Sequence, residues 1–325
     1  MDTIKLEKKW GLLNTPSAGK LETLRIDTSC QPDLNIGLND AGNRCLVLYL
    51  KKSFKSKFVG EEKENIKTSF DIKNHCIVLE LLDNLYNPLF NDLIISLYLK
   101  IKDITDIALS TNTFVSTING WSAFFENNRN TGLSDGEVKG LFGEMKVLVD
   151  LLTDKNSYGV DDVLKGWTGP YDKHYDFCFE DVNIEVKTKN KDSNEVKISS
   201  SYQLDTELGK GMSLNVVSVN KGHNSGENLE DLFNEIRDLI KSMSGDQGIF
   251  LQALSQKGLT NVTIKKYNHI KFVAIKSEIY DCNHIEGKVT FPRIVDSRLS
   301  SNLSNVRYAI NLHELDSFIV TEKKY

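Results

Sequence analysis

The sequence predicts a mixed α/β (α+β) protein, on three observations. Short apolar runs separated by Asn, Asp and Gly fill residues 24–82, an apolar helical periodicity opens at Ser134, and two strand-like runs follow around Asp176 and Glu185. At 325 residues and about 150 residues per domain, two domains are expected. The first is a β-rich N-terminal module over 1–130 that ends in helices. The second, over 131–325, has its core at 134–220 and a helical and β C-terminal extension.

Each element has a local reason. Cys45-Leu46-Val47-Leu48-Tyr49-Leu50 and Ile77-Val78-Leu79-Glu80-Leu81-Leu82 read as strands, and Asn39-Asp40-Ala41-Gly42-Asn43 as a turn between strands. Leu89, Leu93, Ile94, Leu97 and Ile101 recur at helical spacing, and a second apolar segment at 114–125 contains Trp121. Residues 127–132 are polar and turn-prone, as a linker would be. Ser134-Asp135-Gly136-Glu137 reads as a capping box that starts a helix. Val138, Leu141, Phe142, Met145, Leu148, Val149 and Leu152 share one stripe of that helix, with Glu144 at its edge. The runs 175–179 and 183–188 form a hairpin whose turn is Glu180-Asp181. Further strands are expected at 195–198, 213–219, 262–275 and 306–312, with helices at 227–243 and near 249–257 and a last apolar run at 318–320.

Composition excludes several classes. With 40% hydrophobic residues, 26% charged residues and a net charge of −5, the chain is too apolar for global disorder, and no overall field draws it to nucleic acid or an anionic membrane. A nucleic-acid function therefore needs a local site. No apolar run reaches the ~18 residues of a spanning helix, and Lys5, Lys8 and Lys9 precede no apolar signal region, so the expected location is cytoplasmic, with no membrane partner. Cys30, Cys45, Cys76, Cys178 and Cys282 form no C-x-x-C pair, which predicts reduced, mostly buried thiols. The six histidines show no metalloprotease or deaminase spacing.

One constellation carries chemistry. In a strand, Glu185 and Lys187 emerge on the same face, whereas Ile184, Val186 and Thr188 point the other way. Such charges are costly to desolvate unless paired or given a ligand, and Asp176 on the preceding strand adds a carboxylate. Hard Mg²⁺ suits Asp176, Glu185 and a backbone carbonyl, that of Val186, while Lys187 holds or deprotonates a water. The alternative reading is a structural ion pair on a sheet.

Asp176 followed by Glu185-Val186-Lys187, behind a helix bearing Glu144, resembles the PD-(D/E)xK nuclease superfamily. Gly140-Leu141-Phe142-Gly143-Glu144, Gly166-Trp167-Thr168-Gly169-Pro170, His174-Tyr175-Asp176-Phe177, Ile184-Glu185-Val186-Lys187-Thr188 and Ile198-Ser199-Ser200-Ser201-Tyr202-Gln203-Leu204-Asp205 together are similar to one bacterial branch found beside restriction and phage-defence genes. The resemblance covers roughly 134–220. It implies a restriction-endonuclease-like core, a mixed central sheet flanked by helices. It also implies that Asp176 and Glu185 ligate Mg²⁺, with Mn²⁺ as a substitute, that Lys187 positions the attacking water, and that Glu144 completes the acidic cluster. Gln203 resembles a downstream glutamine of several branches, and Tyr175 stands at the superfamily's nominal proline.

The expected function is a Mg²⁺-dependent, restriction-type DNA endonuclease of host defence, with double-stranded DNA as partner and room for other defence-system subunits or a homodimer. Its rival is a non-catalytic DNA-binding or scaffold subunit. RNA or branched DNA would use the same residues, because the site touches phosphates rather than bases. Lys189, Lys191 and Lys197 offer cations to a phosphate backbone, but Asp192 and Glu195 among them make a solvated loop the simpler reading. Trp167 reads as a packing residue, His174 as a polar strand-edge residue, and Gly209-Lys210-Gly211-Met212-Ser213, which lacks phosphate-loop spacing, as a turn.

Overall fold

The computed structural model describes residues 3–54, 58–125, 132–154, 158–200, 203, 204, 207, 209–222, 225–283 and 307–325. The expected linker at 127–132 lies outside them except for Gly132. Two compact units divide the chain, Met1–Arg129 with Gly258–Val262, and Asn130–Lys257 with Thr263–Tyr325.

In the first unit, strands β1 (Leu21–Arg25), β2 (Asp33–Asn39), β3 (Arg44–Tyr49), β4 (Ile66–Asp71) and β5 (Cys76–Leu81) form an antiparallel sheet in the order β1-β2-β3-β5-β4. Leu34, Ile36, Leu46, Leu48, Ile77 and Leu79 alternate onto one face and are buried. Helices α2 (Asn87–Ile101) and α3 (Ile107–Trp121) follow. Asp106 caps α3 by accepting from the Leu109 amide. A short helix α1 (Thr3–Trp10) was not expected, since three of its eight residues are lysines and only Leu6 and Trp10 are buried. Tertiary contacts hold it: Trp10 Nε1 donates to Asn91 Oδ1 at 2.9 Å, and Arg44 Nη2 pairs with Glu7 at 3.1 Å.

The second unit begins with α4 (Asp135–Thr153), whose capping box forms as expected. The Glu137 amide donates to Ser134 Oγ and the Ser134 amide to Glu137 Oε2. Every residue of the predicted stripe is buried. After α5 (Val160–Gly166) come β6 (Phe177–Cys178), β7 (Val182–Asn190), β9 (Gly211–Gly222), β10 (Lys271–Asp281) and β12 (Ile319–Lys324), in one sheet of order β12-β10-β9-β7-β6. Strands β7 and β9 are parallel and the other neighbours antiparallel, so the sheet is mixed. Strands β8 (Glu195–Ile198) and β11 (Tyr308–Asn311) make a separate ribbon. Helices α6 (Leu229–Ser242), capped reciprocally by Asn228 and Asp231, and α7 (Gln247–Gln256) complete the unit.

Several boundaries differ from the expected ones: α3 begins at Ile107, ahead of the apolar segment expected from 114, and its last turn, Ser122–Phe125, is 3₁₀. The strand expected over 262–275 splits into a 3₁₀ turn at Thr263–Tyr267 and β10, which runs on to Asp281. Tyr267 is held out of the sheet because its hydroxyl accepts from the Leu133 amide at 2.7 Å. β6 is only two residues long because the carbonyl of Asp176 accepts from the amides of Thr168 and Gly169, at 2.8 and 2.9 Å, and so leaves the strand ladder.

The packing of α4 on β7 depends on Gly143. A Cβ there would overlap Thr188 Oγ1 and stand 3.1 Å from Thr188 Cβ, so only a residue without a side chain lets helix and strand come this close. Gly143→Ala should therefore destabilise the protein by about 1–3 kcal/mol, read as a lower urea midpoint at unchanged slope. An unchanged midpoint would show that the helix can lift away freely.

Candidate functional site: an acidic cluster at the edge of the mixed sheet

Strand β7 alternates as the sequence predicts. Glu185 pairs with Leu214 and Lys187 with Val216 of β9, and both project from the face opposite to Thr188. Glu185 is 1% exposed. Its Oε1 accepts from Lys187 Nζ at 2.5 Å, while its Oε2 is buried and has no hydrogen-bond partner among the described residues. Both side-chain amide atoms of Asn183, two residues earlier on the same face, are likewise buried without partners. Buried orphans of this kind usually mark a bound water or ion.

Asp176 stands where β6 would have extended. Its Oδ2 accepts from the Val186 amide at 2.7 Å, so a carboxylate replaces a strand carbonyl at the end of the ladder. In an extended strand the N–H and C=O of one residue point to the same edge, which also turns the Val186 carbonyl toward Asp176. Glu144 arrives from α4, one residue after Gly143. Its Oε2 accepts from Trp167 Nε1 at 2.9 Å, and Trp167 is fully buried against Phe250. The Trp167 reading thus holds as packing, with an added hydrogen bond that composition does not signal.

Gly169 sits between the acids. A Cβ at Gly169 would strike Glu144 Oε2 and lie 2.9 Å from Asp176 Oδ1. The hydrogen in its place leaves room where two carboxylates converge. Gln203 is engaged elsewhere: its Oε1 accepts from the Ser199 amide at 2.8 Å, and no described contact joins it to the acids. Ser201, Tyr202 and Asp205 of the same motif block lie outside the described residues.

The electrostatics follow from crowding of like charge. Burial first, and the Asp176 carboxylate second, push both Glu144 and Glu185 up to about 8. Trp167 opposes this at Glu144 and Lys187 at Glu185. Asp176 is also raised, by burial, against the pull of the Val186 amide and of Lys187 and Lys257. Lys257, which pairs with Asp172 at 2.5 Å, is a second cation near the cluster. Sequence reading missed it, because a lysine at the end of a helix carries no motif.

The donor chemistry fits a hard divalent cation: carboxylate oxygens, a backbone carbonyl and an orphaned Glu185 Oε2. The arrangement is not a ready-made cage. Among the described residues no group of three or more His, Cys, Asp or Glu side chains is set to hold a metal ion. Each acid instead has one oxygen taken by a protein donor: Trp167 for Glu144, Val186 for Asp176 and Lys187 for Glu185.

Without a cation, the two glutamic acids favour the fold while protonated. Because their folded values lie above the ordinary 4.5, this stabilisation is complete below about 4.5 and is lost as pH rises through about 8. In EDTA, Tm should fall from pH 5 to pH 8.5 more steeply for the wild type than for Glu144→Gln, and Mg²⁺ should restore it at the alkaline end. Parallel curves for the two proteins would contradict the raised Glu144.

Among the described residues no helix is long and apolar enough to cross a membrane. No curated protein and no solved structure matches the chain. The model of one protein family does, described as "Putative PD-(D/E)XK family member, (DUF4420)" and matching residues 6–313. That span takes in α4, the β6–β7 hairpin and nearly all of the first unit, so the chain belongs to this nuclease-like family of the PD-(D/E)XK type.

Proposed function

We propose that the protein is a Mg²⁺-dependent DNA endonuclease of restriction type, acting on double-stranded DNA in host defence. The observation that carries this reading is the buried Glu185–Lys187 pair beside an Asp176 carboxylate pinned by the Val186 amide. The resemblance of the motif blocks to proteins found beside restriction and phage-defence genes supports the biological setting.

Asp176, Glu185 and the Val186 carbonyl would hold the cation, and Glu144 would complete the acidic cluster or orient water. A bound Mg²⁺ polarises a phosphate oxygen and lowers the pKa of bound water. Lys187, whose ammonium is a donor only, would hold the attacking water by its oxygen and offset charge on the scissile phosphate. Trp167 keeps Glu144 in place, and Gly169 lets the Glu144 and Asp176 carboxylates converge. Gln203 keeps a candidate role only if its loop rearranges away from the Ser199 amide.

A second reading, a non-catalytic DNA-binding or scaffold subunit, is favoured by one observation: Lys187 already neutralises Glu185, and no three-acid ligand group is preformed among the described residues. Plasmid cleavage decides between them. With Mg²⁺ or Mn²⁺, wild-type protein should nick or linearise supercoiled DNA. Asp176→Ala and Lys187→Ala should lower the rate by about 100-fold or more, with their circular dichroism spectra unchanged, and EDTA should abolish cleavage. Equal cleavage by Asp176→Ala would overturn the nuclease site. No cleavage and no Mg²⁺ or Mn²⁺ binding by wild type would select the scaffold.

A further inference from the structure

Lys257 closes α7 as its C-cap residue, and its Nζ lies 2.5 Å from Asp172 Oδ1. Asp172 ends the 3₁₀ turn Gly169–Tyr171 in the left-handed region, at φ 53°, and its amide donates to the Gly169 carbonyl at 3.1 Å. The other end of that turn is Gly169, against which Glu144 Oε2 and Asp176 Oδ1 sit. A 3₁₀ turn rises ~2 Å per residue, so the backbone of its two ends, Gly169 beside the acids and Asp172 beside the cation, is about 6 Å apart. Lys257 also belongs to the groups that oppose protonation of Glu144 and Asp176, so its charge is felt at the cluster.

The Lys257–Asp172 pair is poorly suited to a structural role. The Asp172 side chain is 86% exposed and that of Lys257 27%, and exposed pairs add little stability. A non-glycine residue held at positive φ next to an acidic cluster is a local cost that function often explains. A DNA strand presents one phosphate charge per ~3.4 Å of axis, so a strand whose scissile phosphate meets the cluster places a neighbouring phosphate within reach of the turn's far end.

We infer that Lys257 is a phosphate-contact residue that Asp172 holds beside the cluster until DNA arrives, whereupon its ammonium exchanges the Asp172 carboxylate for a backbone phosphate. This rests on the nuclease reading above. It assigns a substrate contact to a residue outside the motif and gives Asp172 the part of a competitor for that contact.

Binding without cleavage tests it. The full-length protein is titrated onto a fluorescein-labelled DNA duplex with Ca²⁺ in place of Mg²⁺, over a series of salt concentrations, and anisotropy is read. Lys257→Ala should weaken binding about three- to tenfold and reduce the slope of log Kd against log salt by about 1, and Lys257→Arg should restore both. Asp172→Asn removes the competitor and should bind at least as tightly as wild type. A purely structural pair predicts the same loss in Lys257→Ala and Asp172→Asn, and that result would overturn the inference. So would wild-type affinity and slope in Lys257→Ala, with the DNA-binding reading left intact. A wild type that binds no duplex at all would overturn both.

Discussion

A carboxylate buried on β7 is the constraint around which the second unit is organised. Glu185 has 1% exposure and pairs with Leu214 of β9 just past the end of the β6 ladder at Ile184, where an uncompensated charge is strongly destabilising. The surrounding structure answers in two ways. Lys187, two residues on and therefore on the same face, gives Glu185 a charge partner at 2.5 Å. Burial and neighbouring acids raise the proton affinity of what remains. The second oxygen of Glu185 is left unsatisfied, and this separates the site from an ordinary buried ion pair, in which the remaining lone pairs find donors.

Asp176 links the parts. Its carboxylate is the charged neighbour with the largest effect on both Glu144 and Glu185, and its backbone and side chain are both tied down. The carbonyl receives Thr168 and Gly169, and the carboxylate receives Val186. These bonds cut β6 short and fix the acid at the sheet edge. The truncation of that strand and the placement of the acid are thus one structural event.

Two glycines set the distances. Gly143 lets α4 lie against Thr188, which brings Glu144 to the sheet, and Gly169 leaves space where Glu144 and Asp176 converge. Neither glycine here serves a positive φ. Each is needed because a single Cβ would occupy room that a helix or a carboxylate uses. Trp167 adds rigidity from the other side, since its indole is fixed by Phe250 and its N–H by Glu144.

The sequence by itself determined what local chemistry determines. The Ser134–Glu137 capping box and the buried stripe of α4 follow from spacing along the chain, and so does the projection of Glu185 and Lys187 from one face of β7. These depend on helical and strand periods, which adjacent residues carry. The family relation was also legible, because the Asp176 and Glu185-Val186-Lys187 blocks are contiguous. Tertiary structure alone decided the rest. It placed α1 through Asn91 and Arg44, drew Tyr267 out of an expected strand, gave Trp167 a carboxylate and set Lys257 beside Asp172. Each of these contacts depends on which surfaces meet once the chain has folded, and hydrophobic periodicity along the chain does not encode that meeting.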